Sequence, residues 1–66
     1  MKLTINGEEK TFPEGMTLAS LIHELGIEKN PIAVELNRAV VPRELHGATR
    51  LQEGDSLEIV TLVGGG

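Results

Sequence analysis

The residues with the clearest chemical potential are the last ones, Gly64-Gly65-Gly66, which follow Val63. Glycine has no side chain to pack and loses the most backbone entropy when ordered. Residues 64–66 are therefore expected to form a flexible tail, reaching about 10 Å beyond the folded body at ~3.3 Å per residue. Such an arm fits a narrow channel, with Gly64 and Gly65 as the slim backbone, and presents one group, the α-carboxylate of Gly66. A carboxylate is inert as an acyl donor at neutral pH. Its simplest activation is attack on the α-phosphate of ATP to give an acyl-adenylate. The glycines are followed by no Lys-Ser/Thr and no helix, so they are no phosphate cradle. Activation is expected on another protein, which makes this chain a carrier and substrate rather than a catalyst. By itself the same ending also reads as a frayed terminus, so the body before it decides.

Other chemistry finds little support. The two histidines, His23 and His46, share no helical face, and there is no Cys to complete a metal site or serve as a nucleophile. Glu8-Glu9 and Glu53 with Asp55 read as solvated turns rather than an acid/base pair. With 66 residues, of which 39% are apolar, the chain makes one small core and no enzyme pocket of the usual ~300–1,000 Å³. The net charge of −4 argues against nucleic acid, which selects a basic face. No apolar run approaches the ~20 residues of a membrane span. Met1 to Ile5 lacks the apolar stretch of a signal peptide, so a cytoplasmic location is expected.

The elements that must hold the tail are short. Leu3 and Ile5 alternate with polar neighbours as a half-buried strand. Asn6-Gly7 signals a tight hairpin, and a second strand is expected around Lys10-Thr11-Phe12. Whether the loop is Asn6-Gly7 or Gly7-Glu8, Phe12 and Lys10 share the face of Leu3 and Ile5. Leu18, Leu21, Ile22 and Leu25 lie at i, i+3, i+4 and i+7, an amphipathic helix from about Leu18 to Leu25. Thr17 is its N-cap, Met16 can pack on Leu21, and Gly26 followed by Ile27 suits a Schellman stop. Ile32 to Leu36 reads as a third strand, turning at Asn37-Arg38 into Ala39-Val40-Val41, where Pro42 ends pairing. Arg43 to His46 suggests one helical turn closed by Gly47. Leu51 is a core anchor, Glu53-Gly54-Asp55 a turn, and Ser56 to Val63 the last strand.

The order strand, strand, helix, strand, strand, strand, with one helix across one face of a mixed sheet, predicts an α+β fold of the ubiquitin-like β-grasp type. The expected division is a body of residues 1–63 and a tail of residues 64–66, with the first and last strands parallel in the middle. If Leu57 and Ile59 point inward, Val60 and Leu62 point out, on the open face that the hairpin at Asn37-Arg38 gives to Ala33 and Val40. An apolar patch beside the tail is an expected docking surface.

Together these residues resemble the ThiS family, the sulfur carrier proteins of thiamin biosynthesis. The similarity rests on Asn6-Gly7-Glu8, Thr17-Leu18 with Leu21, Leu25-Gly26, Ala33-Val34-Glu35-Leu36-Asn37, Val40-Val41-Pro42-Arg43, Gly54-Asp55, Leu57-Glu58-Ile59-Val60 and Val63-Gly64-Gly65-Gly66. A large aromatic often follows Val-Pro-Arg in that family; here His46 and Gly47 occupy the region. The resemblance implies that a ThiF-type adenylyltransferase, using ATP and Mg2+, adenylates Gly66. Sulfur from a cysteine desulfurase persulfide then displaces AMP to leave a thiocarboxylate, and thiazole synthase (ThiG) accepts that sulfur. The rivals are a carrier for molybdopterin or another metabolite, a ubiquitin-like modifier joined to lysines, and a plain interaction module. The short chain and the absence of Pro-Pro before the glycines favour the thiazole acceptor. Val63, where modifiers often carry Arg, argues against conjugation.

Overall fold

The computed structural model describes residues 1–62. Val63 and the tail glycines Gly64, Gly65 and Gly66 lie outside the described residues. Six elements follow in the order β1 (Lys2–Ile5), β2 (Glu8–Thr11), α1 (Leu18–Glu24), β3 (Ile32–Leu36), β4 (Ala39–Val40) and β5 (Ser56–Thr61), with a 3₁₀ segment, Arg43–Ala48, between the last two strands. The five strands form one sheet in the order β2-β1-β5-β3-β4. β1 and β5 run parallel at its centre, while every other neighbouring pair is antiparallel.

Turn chemistry explains both hairpins. Ile5 pairs with Glu8, so the loop is Asn6-Gly7, with φ of +50° and +85°. Positive φ at both positions matches the right-handed twist of the strands it joins. The second hairpin closes Leu36 onto Ala39 through Asn37 and Arg38, again both at positive φ (+51° and +74°). Asn37 tolerates this conformation because its side chain is held. Its Nδ2 donates to Asp55 Oδ1 at 3.0 Å, and its Oδ1 accepts from the Ser56 N–H at 2.9 Å. Arg38 has no such compensation, and the left-handed region disfavours a residue with a Cβ. Arg38→Gly should therefore raise the unfolding free energy by about 0.5–1 kcal/mol, the relief of strain exceeding glycine's extra unfolded-state entropy. Chemical denaturation checks this, and Arg38→Val should shift the midpoint the opposite way.

The helix is capped as its sequence predicts. Thr17 accepts the Ser20 N–H at 3.1 Å. At the other end Gly26 (φ +75°) sends its N–H to His23 at 3.0 Å, and Ile27 sends its own to Ile22 at 3.3 Å. That pair of bonds is the Schellman ending. The apolar stripe of α1, with Leu18, Leu21 and Ile22 buried, lies on the sheet against Leu3, Ile5, Val34, Leu51 and Leu57. Phe12, Met16, Leu25, Ile27, Val41 and Ile59 close the rim. Leu18 and Leu21 are fully excluded from solvent.

Four expectations are corrected. The second strand is Glu8–Thr11, with Phe12 half-buried just past it, because the two-residue loop starts pairing immediately after Gly7. The helix ends at Glu24, with Leu25 as its cap. The 3₁₀ segment runs through Gly47 to Ala48 rather than stopping there, sustained by Leu45 N–H to Pro42, Thr49 N–H to His46 and the Thr49 hydroxyl to Leu45 O. β5 ends at Thr61, opposite Ile32. The residue before Ile32 is Pro31, which has no N–H to extend the ladder. Leu62 donates to its carbonyl at 2.7 Å, and regular pairing ends there.

One long-range link carries no signal of its own in the sequence. Thr17 and Arg50 form an isolated bridge, with Leu18 N–H to Thr49 O at 2.8 Å and Leu51 N–H to Met16 O at 3.0 Å. It ties the start of the helix to the segment feeding β5, which holds Leu51 in the core.

Candidate functional site

The helix covers one face of the sheet and leaves the other open. Along β5, Leu57 is buried and Ile59 half-buried under the helix, while Glu58 and Val60 alternate outward. On β3, Val34 is buried and its neighbours Ala33 and Glu35 point to the open side. Ala33 pairs directly with Val60, Glu35 with Glu58, and on the other side Glu35 with Val40. The four predicted docking residues thus share one face. Ala33 and Val60 form an apolar cross-strand row, and Leu62 extends it two residues further along the chain toward the tail. Val40 lies on edge strand β4, one row away and across from Glu35. Val40, Val60 and Leu62 are 71%, 57% and 51% exposed. The sulfur-bearing position predicted at Gly66, and the threading positions Gly64 and Gly65, lie outside the described residues.

In chain order this face ends at Leu62, the last described residue. β5 lies between β1 and β3 in the sheet: β1 pairs with its start, at Ser56 and Leu57, and β3 pairs along it as far as Thr61. Asn6 adds a clamp, accepting the Ile59 N–H at 2.8 Å and donating to the Ile59 carbonyl at 3.1 Å. Beyond Ile59 the chain is held on the β3 side, by pairing of Val60 and Thr61 with Ala33 and Ile32 and by the Leu62 N–H to the Pro31 carbonyl.

The histidines are separated into different roles. His46 is buried, 7% exposed, and its Nε2 lies 3.0 Å from the Val41 carbonyl. A carbonyl can only accept, so Nε2 carries the proton and the ring is a core hydrogen-bonding group. It fills the region where the resembled family often has an aromatic, a packing role the sequence did not reveal. His23 lies exposed near the C-terminal end of α1, with Nδ1 2.7 Å from Glu28 Oε2. Among the described residues no group of three or more His, Cys, Asp or Glu could hold a metal. A cleft of about 190 Å³ between α1 and the 3₁₀ segment, bordered by Ile22, Glu28, Arg43 and His46, falls below the size of a typical small-molecule site. Arg43 there donates to the Glu28 carbonyl at 2.9 Å.

The hydrogen bond and charge of Glu28 raise the His23 pKa above its ordinary 6.5, and the helix C-terminus favours the same charged form. An NMR titration should find His23 titrating above 6.5 and returning toward that value in Glu28→Gln. The linked stability is fully present below the unfolded-state pKa. It is lost as pH rises through the higher folded-state value. Wild type and Glu28→Gln should therefore differ in stability in mild acid and converge at alkaline pH.

Comparison with known proteins gives a consistent picture. The model of the ThiS family matches residues 3–66, running through Gly66. The chain is 46% identical over all its 66 residues to a thiazole synthase of Paramagnetospirillum magneticum. A thiazole synthase of Magnetococcus marinus matches at the same identity. It spans about a fifth (20%) of the length of these two proteins. It is also 35% identical to the protein ycf40 of Porphyra purpurea, covering 93% of it. The crystal structure of a thiamine biosynthesis protein (ThiS) from Geobacter metallireducens superposes with a TM-score of 0.86 at 35% identity, each chain covered in full.

Proposed function

The chain belongs to the ThiS family, with its ubiquitin-like β-grasp fold, and from that premise we propose that it is the sulfur carrier for thiamin thiazole synthesis. It acts as the co-substrate of partner enzymes rather than as an enzyme. The observation that carries this reading is the family match running through Gly66, on a body whose last strand is held at the centre of the sheet.

The chemistry follows from the carboxylate. Gly66 attacks the α-phosphorus of ATP in the site of a ThiF-type adenylyltransferase, with Mg2+ neutralising the phosphates, and pyrophosphate leaves. The terminal sulfur of a persulfide, supplied by a cysteine desulfurase, then attacks the acyl carbon and AMP departs. A thiol cleaves the resulting acyl disulfide and leaves the thiocarboxylate. Thiazole synthase, ThiG, takes that sulfur into the ring. Gly64 and Gly65 let the arm enter both enzymes because no side chain projects from it. The thiazole synthases that share this sequence as a fifth of their length support ThiG as the acceptor. Ala33, Val40, Val60 and Leu62 give the enzymes an apolar surface to grip beside the arm.

Intact-protein mass spectrometry after co-expression with the adenylyltransferase and desulfurase tests the reading. The expected product is heavier by ~16 Da, one oxygen replaced by sulfur at the activated acyl group, with fragmentation placing the change on Gly66. Adducts joined to lysines of other proteins would identify a modifier instead. A mass unchanged with active partners present would refute the carrier role.

A further inference from the structure

The open face carries a feature the fold does not need. Glu35 and Glu58 are directly opposed across β3 and β5, both exposed. Like charges facing each other across a strand pair destabilise the sheet. Their Cβ atoms stand about 4.5–5.5 Å apart in such a pair. Among the described residues the one ion pair is His23 with Glu28, so neither glutamate is neutralised within the fold. The two carboxylates sit one row from the apolar pair Ala33–Val60, with Val40 beside Glu35. They are thus framed by the residues proposed to meet a partner.

We infer that the partner's docking surface places a cationic side chain, an arginine or lysine, between Glu35 and Glu58, with an apolar ridge over Val60, Leu62 and Ala33. This rests on the carrier reading and adds the chemistry of the contact. Strand spacing sets the geometry: two residues separate the acidic row from the apolar row, so the cation stands about 7 Å from the centre of the apolar contact, on the side away from the tail. A guanidinium suits the position because it can bond both carboxylates at once. A second copy of this chain is disfavoured as the occupant. Face-to-face pairing would bring four carboxylates together in a protein that already carries a net charge of −4. The pair therefore acts as a register key. It selects a basic partner, steers its approach, and costs the free domain some stability.

The test is the double variant Glu35→Gln/Glu58→Gln, measured for binding to the purified adenylyltransferase and to thiazole synthase at low and high salt. With the repulsion removed, the variant should melt about 1–5 °C above wild type, which also shows that it is folded. Its association with at least one of the enzymes should slow about tenfold at low salt and converge on wild type at high salt. Glu58→Lys should weaken binding further. If wild type binds and the glutamine variant binds equally fast at both salts, the cation contact is wrong and the carrier reading stands. If wild type binds neither enzyme, the carrier reading itself fails and takes this inference with it.

Discussion

A chain shortened by Gly65-Gly66 melts at the temperature of the full protein and yet carries no sulfur. Both halves of this expectation have a physical basis. Among the described residues every core residue lies at or before Ile59, and the backbone bond furthest along the chain is that of Leu62 to Pro31. Gly65 and Gly66 have no side chain to contribute to the core, so the transition should move by less than about 0.5 kcal/mol. The activity loss should be complete rather than graded. Truncation moves the terminal carboxylate back two residues, roughly 7 Å. Reactive geometry requires the attacking atom to lie ~3–3.5 Å from its target. No other carboxylate of the chain can stand in, because side-chain carboxylates of Asp or Glu sit on the body and cannot enter a channel made for bare backbone. The measurement is thiocarboxylate formation by mass spectrometry, with a thermal melt alongside. A truncated chain that still acquired sulfur would show that the arm is not the cargo site. A truncated chain that unfolded would show that the arm is part of the fold.

The largest stability effect should come from Leu18→Ala. Leu18 is wholly buried where three constraints meet: the first turn of the helix, the core face of the sheet, and the bridge in which its N–H bonds Thr49 O. Because helix and bridge hold the backbone on both sides, the cavity cannot collapse easily. Rigid sites of this kind lose about 3–5 kcal/mol on Leu→Ala. At the usual stability per residue a domain of this size has only ~3–10 kcal/mol in total. The substitution should lower the melting temperature by roughly 15 °C or more, or leave the domain largely unfolded at 37 °C. Val60→Ala is the matched control. It also removes apolar atoms, but from a side chain on the open face, and should change stability by less than about 0.5 kcal/mol. Equal losses for the two variants would mean that the open face is part of the core.

Much of the architecture is legible in single residues. The α1 stripe, the Thr17 cap and the Gly26 stop each satisfy a local rule, so the helix is predictable to within one residue at its C-terminal end. The hairpin at Asn37-Arg38 is legible for the same reason. The open-face patch is half legible. Period-2 alternation shows that Val60 and Leu62 point away from Leu57, but alternation alone cannot say which strand lies beside them. Pairing Ala33 with Val60 and Glu35 with Glu58 needs the register of β3 on β5, which joins residues more than twenty apart. His46 was the least legible. An isolated histidine in a polar turn gives no periodic signal, and its burial depends on the Val41 carbonyl being carried to it by β4 and the turn that follows. The Thr17–Arg50 bridge is equally silent, since neither residue type prefers such a contact.

The sequence by itself determined the local conformations, the one-sided helix and the glycine arm, because caps, turns and amphipathic periods act over a few neighbouring residues. Only the tertiary structure decided which strands are neighbours, that the acidic pair faces itself across β3 and β5, and that His46 belongs to the core. Those facts depend on register between distant segments, and register is set by the cooperative burial of Leu3, Leu18, Leu21, Val34 and Leu57 in one shared interior.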